Sequence, residues 1–465
     1  MVYPLHLSSS ILFIISFLWT DNFIPSSEDY IDLDYEPVEN IHSSFLYRAR
    51  TINKDGRDIW HQKMVYSFNE VQLGLRMDKS IDTHQFNNQK FFLTGNFNGY
   101  DFKVGSLRFQ SGNGLLLGSD YATIKSPSNP ASLGKVHWKT GTYLGAASYY
   151  NPVGVMVEKE NYYKIGIVDK VLLATAKLEH HQILFIPNAI ISANKFPSYS
   201  LAMKNNQDSW GVTAESAIQK DKLAQYFQFY SRNSRLKFVT QFRYLPPKWQ
   251  PFSGSPANGL GKSQNEKGVL FAVYFKNESI SFYGWKDFAK EIQNDNEPEK
   301  KGQELFMGMA VKNHHFKFDL NYRKRLLTEA VQSQLTEIQK QYLTLTIGNG
   351  WKAKGKLILI KPQENWGYIL QLQSKKIVVG NFNSTLGTVY FNTDDWSSRV
   401  YLVLPGMAGE FGLKPFYGEG ISIFTLLKCK LDSTHHISAR YTLLPYLNGL
   451  WEMNSVFALQ LDIVF

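Results

Sequence analysis

The sequence predicts an all-β fold, a transmembrane antiparallel β-barrel, on three grounds. The chain ends "NSVFALQLDIVF", in which Phe457, Leu459, Leu461, Ile463 and Phe465 alternate with polar positions such as Gln460 and Asp462. Soluble domains usually finish in a polar, frayed segment. A last strand that is apolar on one face and polar on the other suits lipid outside and water inside. Aromatic residues make up 15% and charged residues only 19% of the 465 positions, yet mean hydropathy is −0.27, too low for a bundle of membrane helices. Finally, tight turns alternate along the chain with long polar stretches, which is the asymmetry of outer-membrane barrels.

The elements follow in order. Residues 1–26 read as a signal peptide: Ile11 to Trp19 form an apolar core too short to span a membrane comfortably. Residues 27–43 form an acidic periplasmic segment, carrying Glu28, Asp29, Asp32, Asp34, Glu36 and Glu39 without a basic residue. It lacks the glycine and closing glutamate of an EF-hand, so a solvated linker explains it. The barrel itself takes 44–465. "VQLGLRM" sets Val71, Leu73, Leu75 and Met77 against Gln72, Gly74 and Arg76, and "FKFDLNYR" repeats the habit from Phe316 to Arg323. Each such segment is a weak barrel signal, and their number carries the inference.

Tight turns are expected at residues 68–70, 98–99, 276–278, 312–314, 349–350 and 431–434, all on the side that holds the C-terminus. Long loops are expected around 78–88, 119–132, 246–266 and 290–301, on the opposite side. "LLTEAVQSQLTEIQKQ" is placed in a long outer loop, with a helical turn or two. At roughly 20 residues per strand and connection, the mature chain makes about 20 strands, within a range of about 18 to 24. A cylinder that wide encloses an open lumen unless loops or a partner fill it.

Three stretches resemble a family of outer-membrane proteins best represented in Bacteroidota and related phyla. They are "FKVGSLRFQSGNGLLLGSDY", "FRYLPPKWQPFSGSPANGLGKSQNEKGVLFAVYF" and "FNTDDWSSRVYLVLPGMAGEFGLKPFYGEGISIF", and the likeness runs over roughly residues 45–465. Members usually carry periplasmic helix–hairpin–helix modules before the barrel, and a barrel expected to begin soon after the acidic segment leaves no room for them in this sequence. The resemblance therefore implies the barrel and gives no activity to carry over. "LPGMAG" (Leu404–Gly409) looks like the hairpin of such a module, but its flanks read as strand and turn, not helices.

The chemistry-bearing motifs are few. "SGNGLLLGS" lacks the ending of a phosphate loop, so its glycines read as a bend or as close packing against a plug or neighbouring strand. Adjacent histidines at 180–181, 314–315 and 435–436 would point to opposite faces of a strand and could not easily share a metal. Asp394, Asp395 and Arg399 make a polar motif, either facing the lumen and binding a solute or capping their own turn. Cys429 stands alone, which excludes a disulfide framework. No residue takes a catalytic role and no cofactor is implied.

The net charge of +10 fits anionic solutes or a generally basic protein. The expected role is a pore or transport protein with a polar, mildly basic lumen. The alternatives are a plugged barrel that anchors a partner in a secretion or DNA-uptake assembly, and an outer-membrane hydrolase. Expected partners are outer-membrane lipid, a periplasmic protein, and the barrel-assembly machinery through Phe457, Leu459, Leu461, Ile463 and Phe465; nucleic acid is not expected.

Overall fold

The computed structural model describes residues 43–464 apart from 55–56, 81–85, 118–135, 143, 145–151, 160–161, 193–194, 232, 234, 253–263, 293–299, 313–315, 332–333, 350–352, 363–364, 375–376, 395, 397, 409–412 and 446–452. The expected signal peptide, nearly all of the acidic segment and Phe465 lie outside the described residues.

The ring begins with β1 (Ser43–Lys54), β2 (Arg57–Phe68), β3 (Val71–Ser80), β4 (Phe86–Phe97) and β5 (Tyr100–Gly112). The short β6 (His137–Thr142) pairs only with the far half of β5. The wall resumes with β7 (Val153–Lys159), β8 (Tyr163–Val168), and β9 (Val171–Ala176) with its continuation β10 (Leu178–His180). Next come β11 (Ile183–Ser192), β12 (Lys195–Asn206), β13 (Trp210–Gln219), β14 (Lys222–Ser231), β15 (Leu236–Leu245), β16 (Glu266–Lys276) and β17 (Ile280–Lys290). They are followed by β18 (Lys301–Lys312), β19 (Phe316–Val331), β20 (Gln334–Asn349), β21 (Ala353–Pro362), and β22 (Gly367–Ser374) with its continuation β23 (Ile377–Val379). After β24 (Phe382–Thr393), an inner hairpin of β25 (Val400–Val403) and β26 (Leu413–Phe416) interrupts the wall. It closes with β27 (Glu419–Lys430), β28 (His435–Pro445) and β29 (Met453–Val464).

Every pairing is antiparallel, and β29 returns to β1 from Leu46↔Val464 to Lys54↔Val456, so the sheet has no free edge. Setting aside β6, β25 and β26, and joining β10 and β23 to their predecessors, leaves 24 staves among the described residues. This is the upper end of the expected 18 to 24, above the central figure of about 20 because seven staves share the weakly patterned stretch Val153–Ser231, where tight turns join short strands at both rims.

Alternation decides which face each side chain takes. On β14, Leu223, Phe227 and Phe229 point outward while Ala224, Tyr226, Gln228 and Tyr230 are buried inside. On β29, Phe457 is 44% exposed while Gln460 is fully buried, as the terminal pattern required. The outer face is thus a belt of Phe, Tyr, Leu, Val and Ile, and the inner face is polar.

Both described ends of the chain lie at one rim, where the connections are short. At Asn98–Gly99 both residues have positive φ, 53° and 77°, the geometry that suits a two-residue hairpin. In the β27–β28 turn Asp432 accepts the Thr434 hydroxyl and the amides of Thr434 and His435 at 2.7–2.8 Å. These bonds hold its carboxyl well below the usual carboxylate range. The long connections, including 246–265 and 394–418, all fall at the other rim, as expected. One expectation fails. The described residues of "LLTEAVQSQLTEIQKQ" are neither loop nor helix but the top of the β19–β20 hairpin, paired from Phe316↔Asn349 to Val331↔Gln334. Cross-strand pairing outweighs the local helical preference of its Leu, Glu and Gln residues.

Candidate functional site inside the barrel

Three segments from the long-connection rim turn into the lumen. The first comes from β5. Tyr100–Ser106 belong to the wall, paired to β4 and β7. Gly105 has φ +104°, and beyond it Leu107–Gly112 leave the wall and pair with β6 instead. The tip reaches across to β9, β11 and β13. Ser111 Oγ donates to Asn188 Oδ1 at 2.6 Å, and Asn188 Nδ2 donates to Ser200 Oγ at 2.9 Å. The Glu215 carboxylate accepts the backbone amides of Asn113 at 2.6 Å and Leu115 at 3.2 Å. Gly112 makes that seat accessible: a Cβ there would lie 2.9 Å from the carboxylate. The glycine-rich motif is therefore a bend packed against neighbouring strands, in line with its structural reading.

The second segment follows β15. Trp249 is almost fully buried and donates its Nε1–H to Leu115 O at 3.2 Å. Leu107, Phe109, Leu115, Leu116 and Leu117 join it in an apolar cluster with inward residues such as Val168, Leu173 and Ile190. The third segment is the β24–β27 connection. Val400, Leu402, Leu404 and Phe416 pack on the inward Ile369, Val389, Phe391 and Phe424. "LPGMAG" belongs to this connection, flanked by β25 and β26 rather than helices, with Leu404 and Met407 buried.

The polar wall divides by charge. Arg48, Arg50, Lys63, Arg76, Lys90 and Arg440 face the lumen from β28 and β1–β4, together with Asp78 and Asp462. Arg76 grips Asp78 at 2.7 Å, and Arg48 pairs with Asp462. The same two arginines hold inward segments: Arg76 Nη1 donates to Leu144 O at 2.8 Å and Arg48 Nη1 to Ala408 O at 3.2 Å. Halfway round the ring the buried carboxylates gather with cations of their own. Glu215, Glu266, Asp287 and Glu304 are buried on β13–β18, where Arg243 sits 2.5 Å from Glu266 and 2.8 Å from Asp287, and Arg323 of β19 pairs with Glu304. Between the two walls Glu158 bridges Lys103 and Lys164, each at 2.7 Å, and Lys103 Nζ also donates to Thr140 O on β6 at 2.9 Å.

Of the motif expected at Asp394, Asp395 and Arg399, the two described residues are engaged separately. Asp394 accepts the Trp366 amide at 2.5 Å and caps the neighbouring connection, while Arg399 lies over the Trp396 ring and donates to Tyr401 Oη at 2.8 Å. Asp395 lies outside the described residues. Among the histidine pairs, the His180 and His181 rings meet edge to face at a short turn, and 314–315 lie outside the description. Sequence reasoning missed Glu215, Arg243, Arg48 and Arg76. Their signal is faint: single charges at inward positions of otherwise ordinary strands, as in "WGVTAESAIQ" and "LKFVTQFRYL".

No family model and no curated protein matches the chain. Among solved structures it is similar to an E. coli P pilus tip assembly intermediate, PapC-PapD-PapK-PapG, with a TM-score of 0.51 and 8% identity. The match covers 95% of this chain and 63% of that chain. It is also similar to the P pilus usher (PapC) translocation pore, with a TM-score of 0.41 and 8% identity over 91% of this chain and 99% of that one. The FrpB iron transporter from Neisseria meningitidis gives 0.47 and 8% over 92% and 82%. At such identities the likeness concerns the fold, and it agrees with the closed ring, apolar belt and polar interior. The chain is a closed antiparallel β-barrel of the outer-membrane type. In barrels of this type short turns face the periplasm and the long-connection rim faces outward.

Proposed function

We propose that this barrel is a transport protein whose lumen is closed at rest by its own outer-side segments. The observation that carries the reading is the Glu215 seat. A carboxylate on one wall strand holds the amides of a segment that departs from the wall several staves away. Sixteen- to eighteen-stranded porins leave an aqueous channel, so a 24-stave ring has ample cross-section for solutes once such segments move. The inward segments are held by discrete polar contacts over modest apolar clusters, an arrangement suited to release. The cationic wall of β28 and β1–β4 favours anionic solutes.

Planar-bilayer conductance tests this. The wild-type barrel conducts weakly, and Glu215→Ala raises its mean conductance several-fold. Gly112→Ala does the same, because its Cβ intrudes on the carboxylate. Acetate added to Glu215→Ala partly restores closure by refilling the amide seat. Two silent, fully folded variants would overturn the transport reading. They would favour instead a permanently plugged scaffold that anchors a partner, which the apolar clusters beneath the outer rim also support.

A further inference from the structure

The outward face carries a second site. Antiparallel register sets Lys267 directly opposite Lys290, and Lys290 directly opposite Lys301, so three lysines form one row across β16, β17 and β18. All three are exposed, and their positions at the ends of these strands place the row at the long-connection rim. A fourth lysine, Lys286, starts two repeats of the pleat lower on β17, in the apolar belt. Its Nζ lies 4.8 Å from the centre of the Phe288 ring. Like charges directly opposite on neighbouring strands repel, and a phosphate bound along the row offsets that repulsion.

Immediately beside the row lies a groove of about 610 Å³. Phe227, Phe242, Tyr244 and Phe288 form its outward walls, and the small Ala214 and Ser216 leave room at its far side. Lys267 and Lys290 line it as well. All four aromatic side chains point away from the lumen and are 36–47% exposed. A cavity of this size is within the range that holds a specific small ligand. Its surroundings are lipid, because it sits in the outward belt of a membrane barrel. Cations above and aromatic rings below match one kind of occupant: a molecule with a phosphate head and acyl chains.

We propose that this groove binds a phosphorylated glycolipid of the outer leaflet, its phosphates on Lys267, Lys290 and Lys301 and an acyl chain between the aromatic rings. The inference depends on the barrel's orientation and not on whether its lumen opens. Snorkelling explains Lys286, whose stem runs along Phe288 while its ammonium rises toward the headgroup plane.

Native mass spectrometry of the detergent-solubilised full barrel tests the proposal. The probes are a diphosphorylated acylated disaccharide, the same lipid without phosphates, and inorganic phosphate alone. The diphosphorylated lipid remains bound, and its dephosphorylated form does not. Each lysine near an anionic headgroup is worth roughly fivefold in affinity, so Lys267→Gln/Lys290→Gln/Lys301→Gln weakens binding on the order of 100-fold. Phe242→Ala/Phe288→Ala weakens it with the charges intact. A control with Lys276, Lys312 and Lys430 changed to Gln at the opposite rim binds like wild type. Equal binding of both lipids, an unaffected lysine triple variant, or inorganic phosphate displacing the lipid at equal concentration would each overturn the proposal.

Discussion

Arg243 lies between Glu266 and Asp287 with none of its side chain exposed, and both carboxylates are as deeply buried. Three charges inside a packed wall are tolerated only while they compensate one another, because each would lose several kcal/mol of hydration alone. Arg243→Met removes the shared partner and leaves two buried carboxylates side by side. It should lower unfolding stability by about 3–5 kcal/mol. The Lys317–Asp319 pair, at 3.2 Å with the lysine 44% exposed, is the contrast. Breaking it should cost at most about 1 kcal/mol. Urea titration, followed by the mobility shift between folded and unfolded barrel on gels, separates the two. Equal midpoints for both variants would mean that Arg243 is hydrated in solution. Nothing local in "LKFVTQFRYL" announces this arrangement, since Glu266 and Asp287 come from later strands and meet Arg243 only through register.

At the scale of elements, β5 is one strand that serves two surroundings. It leaves the wall at Gly105, where φ is +104° and a Cβ would lie 2.3 Å from Phe91 O. Gly105→Ala must both strain the backbone and push the β4 carbonyl away. The strain alone costs about 1–3 kcal/mol. A wild-type urea midpoint for this variant would show that the strand turns elsewhere. The three stretches that carried the family resemblance coincide with the three inward segments: the β5 turn-in, the connection after β15, and the β24–β27 connection with its β25–β26 hairpin. Their glycines, prolines and tryptophans were visible because a chain leaving a regular wall needs special backbone and packing residues. Their destination was not visible. Whether such a segment covers a rim or enters a lumen depends on inward residues such as Glu215, Asn188 and Ile190, which come from other strands. The β19–β20 hairpin shows the reverse case, a helix-like composition overruled by a partner strand.

For the whole molecule, alternation and loop asymmetry were enough to read a barrel, whereas the arrangement of its charge emerges only when the ring closes. A net charge of +10 suggested a mildly basic lumen. Closure instead gathers Arg48, Arg50, Lys63, Arg76, Lys90 and Arg440 on one wall and Glu215, Glu266, Asp287 and Glu304 across from it. The second group is matched by Arg243 and Arg323, so the excess lies on the first wall, and solutes passing near it meet positive charge. In the opened Glu215→Ala barrel, a salt gradient centred near 0.1 M should therefore give a reversal potential of anion-preferring sign. Lys63→Glu reverses one charge of the cationic wall and should move that potential toward cation preference. The Debye length falls from about 10 Å at 0.1 M to about 3 Å at 1 M, so the difference between the two barrels should shrink sharply at high salt. Identical reversal potentials at low salt would mean that solutes pass by a route that does not meet this wall.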